Sequence, residues 1–322
     1  MAFVSKKIIK GKKQYYLEES LRLPDKKLKK ISMYLKGYNP KKKYNLEEYK
    51  KKLEEKIKEE FISAKINMYE TNNIFTKEVQ ENIEEMNRGY KKIIKKLTQN
   101  QKKDVLDRFT VNFTYESNAI EGNSLTLKDV TFILQEGKIV QGKDLREVYE
   151  TVNTRKAWEW IFYNKPSLTQ KTILKLHELI VENTGVTKGY KKIPNFLLGR
   201  NFKTTSPENG QEEMNKILEW YHATNNIHPL QRATIFHGKF EKIHPFEDGN
   251  GRVGRLLINM MLLKQGYPPL IIRKTQRIQY FHALEAFDNG HYDNLYRFML
   301  KKYKDTYKKF FKILSKYCCF IW

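Results

Sequence analysis

The sequence predicts a mainly α-helical protein with a short β-hairpin in its middle and a basic N-terminal extension. Three observations predict this. From residue 46 onward, apolar residues recur at helical spacing in segment after segment. Only residues 186–210 break that pattern, punctuated by Gly189, Pro194, Gly199, Pro207 and Gly210. Residues 1–60 carry 19 Lys/Arg against 9 Asp/Glu. A chain of 322 residues, 40% hydrophobic and 30% charged, is long enough for a real core and suits a globular rather than a disordered protein. That length predicts two domains, or one domain with an extension.

Taken in order, Phe3–Leu17 alternates apolar and Lys residues around Gly11 and predicts a hairpin. Leu46, Tyr49, Leu53, Ile57 and Phe61 predict an amphipathic helix over 46–64. Residues 76–120 predict two helices broken near Thr98–Gln101, the second carrying Val105, Phe109, Phe113 and Ile120. Thr126 with Asp129 three residues on is a capping box, opening a helix that ends near Gly137. Helices are further expected at 144–163, burying Leu145, Val148, Val152, Ala157 and Trp160, and at Thr169–Glu182. Ile193–Leu198 is expected as a strand of the central hairpin. Helices then resume at Glu212–His222, Gln231–Ile243, Arg252–Gln265, Gln276–Asn289 and Asp293–Lys316. The expected divisions are 1–100, 101–165, 166–305 and 306–322, the last a helix with an apolar tail.

The formal charge is +24. It favours acidic or polyanionic partners, although a Lys-rich solvated surface is the blander explanation. Nucleic acid is the less favoured partner, because no helix-turn-helix and no aromatic–basic platform is visible. The two cysteines, Cys318 and Cys319, are adjacent, which excludes a disulfide framework and a zinc spacing. Met1–Lys10 lacks the apolar core of a signal peptide, and no apolar run is long enough for a membrane span. A cytoplasmic location is therefore expected.

The chemistry concentrates in Ile243-His244-Pro245-Phe246-Glu247-Asp248-Gly249-Asn250-Gly251-Arg252-Val253-Gly254-Arg255. An apolar helical pattern leads in and another leads out, so the loop sits at a helix N-terminus, where amide N–H groups and the helix dipole favour anions. Gly249 and Gly251 allow close backbone approach to a phosphate. Arg252 and Arg255 add planar cationic forks. Asp248 is a hard oxygen ligand suited to Mg2+ beside phosphates. His244 accepts a proton near neutral pH. Gly249-x-Gly251-x-x-Gly254 also fits a dinucleotide fingerprint, but that needs a preceding strand, and here the preceding segment is helical.

The segment resembles the signature of the Fic family, HPFx[DE]GN[GK]RxxR, at every position. The resemblance implies a Fic-type helical bundle over roughly residues 100–305. It implies protein adenylyltransferase activity: AMP moves from Mg-ATP to a Ser, Thr or Tyr hydroxyl of a protein, the chain itself included. His244 would deprotonate that hydroxyl. Asp248 would hold Mg2+, Gly249, Asn250, Gly251 and Gly254 would serve the phosphate site, and Arg252 and Arg255 would bind the triphosphate. Glycine at 251, where the related Doc-type kinases carry Lys, favours AMP transfer over phosphate transfer. ATP, Mg2+ and a protein substrate are the implied ligands, and homodimers are common in the family.

Ser117-Asn118-Ala119-Ile120-Glu121-Gly122-Asn123 resembles the family's inhibitory motif. Ser117 and Glu121 share a helix face, and Glu121 is expected to pair with Arg255 where a γ-phosphate would sit. Gly189 through Gly199 resembles the family's flap, which adds a strand to its target. Leu198, Gly199, Arg200 and Asn201 are expected beside the nucleotide. Tyr280 and Phe281 stand where the family meets adenine, with core packing the alternative, and Asp288 replaces a common Asn. His237, two turns before His244, is expected as a packed or hydrogen-bonded histidine rather than a metal ligand. Two alternatives stand beside adenylylation: removal of AMP by the same site, and nucleic-acid binding by a basic protein with an inactive Fic core.

Overall fold

A computed structural model describes residues 2–42, 45–137, 141–195 and 204–311. The chain divides into two compact units, Met1–Asn72 with Thr76–Glu84, and Asn73–Phe75 with Glu85–Trp322.

The first unit holds an antiparallel sheet in the order β1 (Phe3–Ile9), β2 (Lys12–Arg22), β3 (Leu28–Tyr34), followed by helix α1 (Glu47–Ile66). Lys10 and Gly11 both have positive φ (50° and 73°), as a two-residue hairpin turn requires. Leu17, Ile31, Leu35 and Leu53 are buried between the sheet and α1, with Val4, Tyr15, Leu21 and Met33 packed around them. The expected hairpin ending at Leu17 is therefore too small. β2 runs on to Arg22 and pairs with a third strand, from Tyr16↔Tyr34 to Arg22↔Leu28. Lys26, Lys27, Lys29 and Lys30 hide that strand from a hydropathy pattern, and the ladder to β2 overrides them.

Helix α2 (Lys77–Lys96) spans the division, and α3 (Gln99–Ile120) follows a break at Thr98. Thr98 and Gln101 form a reciprocal capping box there. α4 (Leu127–Glu136) starts on the expected Thr126–Asp129 box and ends on Gly137 in the left-handed conformation. In α5 (Leu145–Asn164) the stripe is shifted from the expected one: Trp158 is 1% exposed, Trp160 is half-buried, and Leu145 is 50% exposed. Buried Thr151, Asn153 and Thr154 put polar residues in contact with both neighbours, so apolar spacing alone misplaces the face. Trp158 packs against Phe109 and Phe113 (ring centroids 4.8 and 5.2 Å).

After α6 (Gln170–Ile180), the expected central strand is absent among the described residues. Tyr190 makes one antiparallel bridge to Phe246, and Ile193–Asn195 is not a strand. Positions 196–203, including Leu198, Gly199, Arg200 and Asn201, lie outside the described residues. Gly210 opens α7 (Gly210–Ala223) rather than blocking it. The antiparallel pair α8 (Pro229–Ile243) and α9 (Asn250–Lys264) forms the centre, burying Phe236, Phe240, Leu256, Leu257 and Met260. α10 (Arg277–Asp288) and α11 (Tyr292–Thr306) complete the bundle, with a π-helical turn at Tyr307–Phe311. The rest of the expected C-terminal helix and tail, with Cys318 and Cys319, falls outside the described residues. Among the described residues, no helix is long and apolar enough to cross a membrane.

Candidate active site

The loop between α8 and α9 is built by residues that leave its backbone few alternatives. His244 ends α8 as its C-cap in the left-handed region (φ 51°, ψ 60°), and Pro245 after it stops the helix from continuing. Its N–H still donates to the Phe240 carbonyl at 2.9 Å. Phe246 is fully buried and stacks on His177 with ring centroids 3.9 Å apart. Asn250 closes the loop: its Oδ1 accepts from the Phe246 N–H (2.9 Å) and its Nδ2 donates to the Phe246 carbonyl (2.8 Å). Gly249 (φ 82°) leads into α9, and a Cβ there would meet Ile180 at 3.0 Å. No side chain caps the amides of the first turn of α9.

Three guanidinium groups and three carboxylates meet at this helix start. Arg255 is 3% exposed. Its NH2 lies 2.7 Å from Glu121 Oε1 and donates to the Ser117 carbonyl at 2.8 Å, and its Nε donates to Ser117 Oγ at 3.0 Å. Glu121 caps the end of α3 and Gly122 (φ 106°) turns the chain away after it. Gly251 makes room for this contact: a Cβ there would abut Glu121 Oε1 and lie 2.9 Å from Arg255 NH1. Arg252, also 3% exposed, binds Glu150 Oε1 (3.1 Å) and Asp248 Oδ1 (3.2 Å). Arg146, at the start of α5, reaches Asp248 Oδ2 (2.7 Å) and lies 3.5 Å from Glu150. Burial pushes the Asp248 carboxyl up, but Arg252, the Gly249 N–H and Arg146 together outweigh that and hold it below the usual carboxylate range. Asn123 Nδ2 donates to Glu150 Oε2 (3.0 Å), so the turn after Glu121 is tied to the carboxylate that holds Arg252.

His177 supports the loop from beneath. The Gly189 N–H donates to its Nδ1 (3.2 Å), which leaves Nε2–H to donate to the Asp248 carbonyl (3.1 Å). Burial lowers its pKa to about 4, so it stays neutral. Beside the loop the chain makes one isolated bridge rather than a strand: the Lys191 N–H donates to the Pro245 carbonyl (2.9 Å), and Asn195 Nδ2 donates to the Phe246 and Glu247 carbonyls (2.8 and 3.1 Å). The Lys191 ammonium is satisfied by Asn195 Oδ1 (2.5 Å) and Thr204 Oγ (3.0 Å), and burial lowers its pKa to about 8.

On the expected adenine side the residues separate. Tyr280 is a core residue: it is 1% exposed and its hydroxyl lies 2.7 Å from His237 Nε2. That contact makes His237 a hydrogen-bonded core histidine, beside Glu241 and against Gly254, where a Cβ would approach Glu241 Oε1 at 2.5 Å. Phe281 is half-buried under the Arg277 guanidinium (5.1 Å). Asp288 lines a cavity of about 760 Å3 bounded by Trp220, Lys239, Ile243 and Tyr292.

Sequence reasoning missed Arg146, Glu150 and His177. Arg146 and Glu150 are four apart on a helix and read as a solvated i,i+4 pair; only tertiary packing brings them to Asp248 and Arg252. As for a divalent cation, no group of three or more His, Cys, Asp or Glu able to hold one occurs among the described residues. The half-exposed Asp248 carboxylate beside an anion site nonetheless fits Mg2+, which usually takes one or two carboxylates and fills the rest of its shell with phosphate oxygens and water.

Residues 167–262, from the start of α6 almost to the end of α9, match the Fic/DOC family model. The chain is 33% identical over 199 residues to protein adenylyltransferase fic-1 of Caenorhabditis elegans, covering 59% of this chain and 39% of that protein. It is 34% identical over 190 residues to protein adenylyltransferase Fic of Drosophila mojavensis, covering 58% and 38%. The chain thus spans about two fifths of the length of the curated relatives it matches. Among solved structures, a Fic domain containing signaling protein from Bacteroides thetaiotaomicron superposes with a TM-score of 0.67 at 26% identity, covering 73% of this chain and 97% of that one.

Proposed function

We propose that the chain, whose residues 167–262 match the Fic/DOC family model, is a protein adenylyltransferase, moving AMP from Mg-ATP to a Ser, Thr or Tyr hydroxyl of a protein, and that Glu121 holds it inactive. The observation that carries this reading is the 2.7 Å contact between Glu121 and the buried Arg255 at the start of α9, with Gly251 making room for it.

His244 takes the proton of the attacking hydroxyl. The hydroxyl oxygen forms a bond to the α-phosphorus, the bond from that phosphorus to the bridging oxygen breaks, and pyrophosphate leaves. The uncapped amides of α9 and the Arg252 and Arg255 guanidiniums hold the phosphates in line, which matters more for this chemistry than a covalent intermediate. Asp248 would hold Mg2+, which neutralises charge on the leaving phosphates. By the family resemblance the adenine is assigned to Phe281 and Asp288, and the 190–195 segment beside Pro245 and Phe246 is assigned to the target. Arg255 serves a γ-phosphate only after Glu121 leaves it, so ATP binds productively only in the released state.

The test is labelling with α-32P-ATP and Mg2+ of wild type, Glu121→Gly, and Glu121→Gly with His244→Ala, each alone and with a cell lysate. Strong label only in Glu121→Gly is the expected result. Absence of label in every variant overturns the transferase reading, and AMP removal by the same residues takes its place.

A further inference from the structure

The outer face of the N-terminal sheet forms an aromatic and cationic platform. Strand side chains alternate between faces. Leu17, Ile31 and Met33 turn to α1, so the cross-strand rows Ser5↔Tyr16↔Tyr34 and Phe3↔Glu18↔Ser32 turn away from it. Phe3 and Tyr34 are 49% and 47% exposed, and the Tyr16 and Tyr34 rings lie 5.5 Å apart. Lys7 sits over the Tyr16 ring at 4.6 Å and Lys30 over Phe3 at 5.5 Å. Glu18 is fully buried between them, with its oxygens 2.8 Å from Lys7 and 2.6 Å from Lys30. It fixes the two lysines beside the rings instead of letting them range through solvent. Lys12 and Arg22 stand on the same face at opposite ends of β2.

Charge is concentrated here too. Residues 1–45 carry 14 Lys/Arg against 3 Asp/Glu, whereas α1 carries six of each. A Lys-rich solvated surface would spread its excess over both. An open sheet face with neighbouring aromatic rings, flanking cations and Ser or Gln between them suits a flexible polyanion whose repeating units have flat π faces. A lipid surface calls for an apolar insertion ridge, and an acidic peptide gives the ring row nothing to stack on.

We propose that this sheet face binds single-stranded nucleic acid, with bases stacked on Tyr16, Tyr34 and Phe3 and phosphates met by the flanking cations. The proposal is independent of the adenylyltransferase site.

The experiment measures fluorescence anisotropy of a labelled oligouridine of roughly 20 nucleotides with the full chain, in wild type and in a His244→Ala variant. Both should bind equally, with affinity falling steeply as salt rises from about 50 to 200 mM. Tyr34→Ala should weaken binding about tenfold by loss of one stack, and Phe3→Ala, also at an exposed position, provides a second variant if the first fails to fold. Lys12→Gln with Arg22→Gln should reduce the salt slope by about 1.4, at roughly 0.7 per phosphate contact. These two cations are chosen because neither pairs with Glu18, whereas removing Lys7 or Lys30 would leave a buried carboxylate short of a partner. Crosslinking with 4-thiouridine should place adducts in β1–β3. Three results would overturn the proposal: absence of binding at low salt, equal binding of duplex and heparin without any effect of Tyr34→Ala or Phe3→Ala, or uptake only by phosphatidylserine vesicles.

Discussion

Replacing Glu121 by Gly removes the carboxylate that holds Arg255, and the effect on nucleotide affinity can be sized from the contact. Arg255 is 3% exposed, and Ser117 satisfies its Nε and part of NH2 whether or not Glu121 is present. The remaining contact, 2.7 Å to Glu121 Oε1, is a charge-assisted hydrogen bond. Such bonds are worth about 1.5–3 kcal/mol net. Glu121 is 33% exposed, so the lower half of that range applies. ATP that must displace it is handicapped by about 2 kcal/mol, and at 1.4 kcal/mol per factor of ten the variant should bind ATP roughly 30-fold more tightly. On the proposed reading AMP carries no phosphate that reaches Arg255, so it should gain almost nothing. Calorimetric titration with ATP and AMP in a His244→Ala background, where no turnover occurs, measures both. Without nucleotide, Glu121→Gly should melt lower than its parent because a buried guanidinium has lost its counter-charge, and ATP should restore more than the difference. Equal gains for AMP and ATP, or no gain for ATP, would refute the assignment of Glu121 to the phosphate end of the site.

Arg146→Ala frees one oxygen of Asp248 from a 2.7 Å ion pair and should lower, a few-fold, the Mg2+ concentration that half-saturates ATP binding in the same calorimetric assay. Glu150→Gln leaves buried Arg252 with Asp248 as its remaining carboxylate and should cost about 2 kcal/mol in urea unfolding, more than Lys156→Gln, which breaks the exposed pair between Lys156 of the same helix and Glu182 after α6. Glu18 has its pKa lowered to about 2, first by Lys30 and then by Lys7. A depressed carboxylate pKa contributes stability that is complete above its unfolded value of about 4.5 and lost as pH falls towards 2. The N-terminal unit should therefore lose stability below pH 4.5 in acid titrations followed by circular dichroism, and Glu18→Gln should show less of that loss. The same acid response in Glu18→Gln would remove Glu18 as its source.

Local signals in the sequence were good guides where the interaction is itself local. The break read near Thr98–Gln101 and the capping box read at Thr126–Asp129 both mark helix starts, each fixed by reciprocal contacts between residues three apart. The loop from His244 to Arg255 was legible because its residue types, order and spacing carry the chemistry together. What escaped notice depends on distant segments. β3 exists because β2 offers it a ladder, and its lysines gave no apolar alternation to find. Trp158 rather than Trp160 enters the core because α5 is packed on more than one side, with threonines and an asparagine filling the seams. Arg146 and Glu150 join the site because the α3–α4 turn and the start of α9 both converge on the first turns of α5, which helical spacing does not encode.

The alternation of three arginines with Asp248, Glu121 and Glu150 means that the cleft carries its own counterions. Although the chain as a whole is +24, a nucleotide approaching this point meets no bare positive field, because each guanidinium there is already matched. On the proposed reading, entry would be an exchange rather than a capture: a phosphate would take the place of Glu121 on Arg255, and a cation would take the place of Arg146 on Asp248. The two swaps are opposite in sign and leave the local charge nearly where it began. Selection between nucleotides in such a cleft rests on how well each fills the vacated contacts, and little on how strongly it is drawn in from solution.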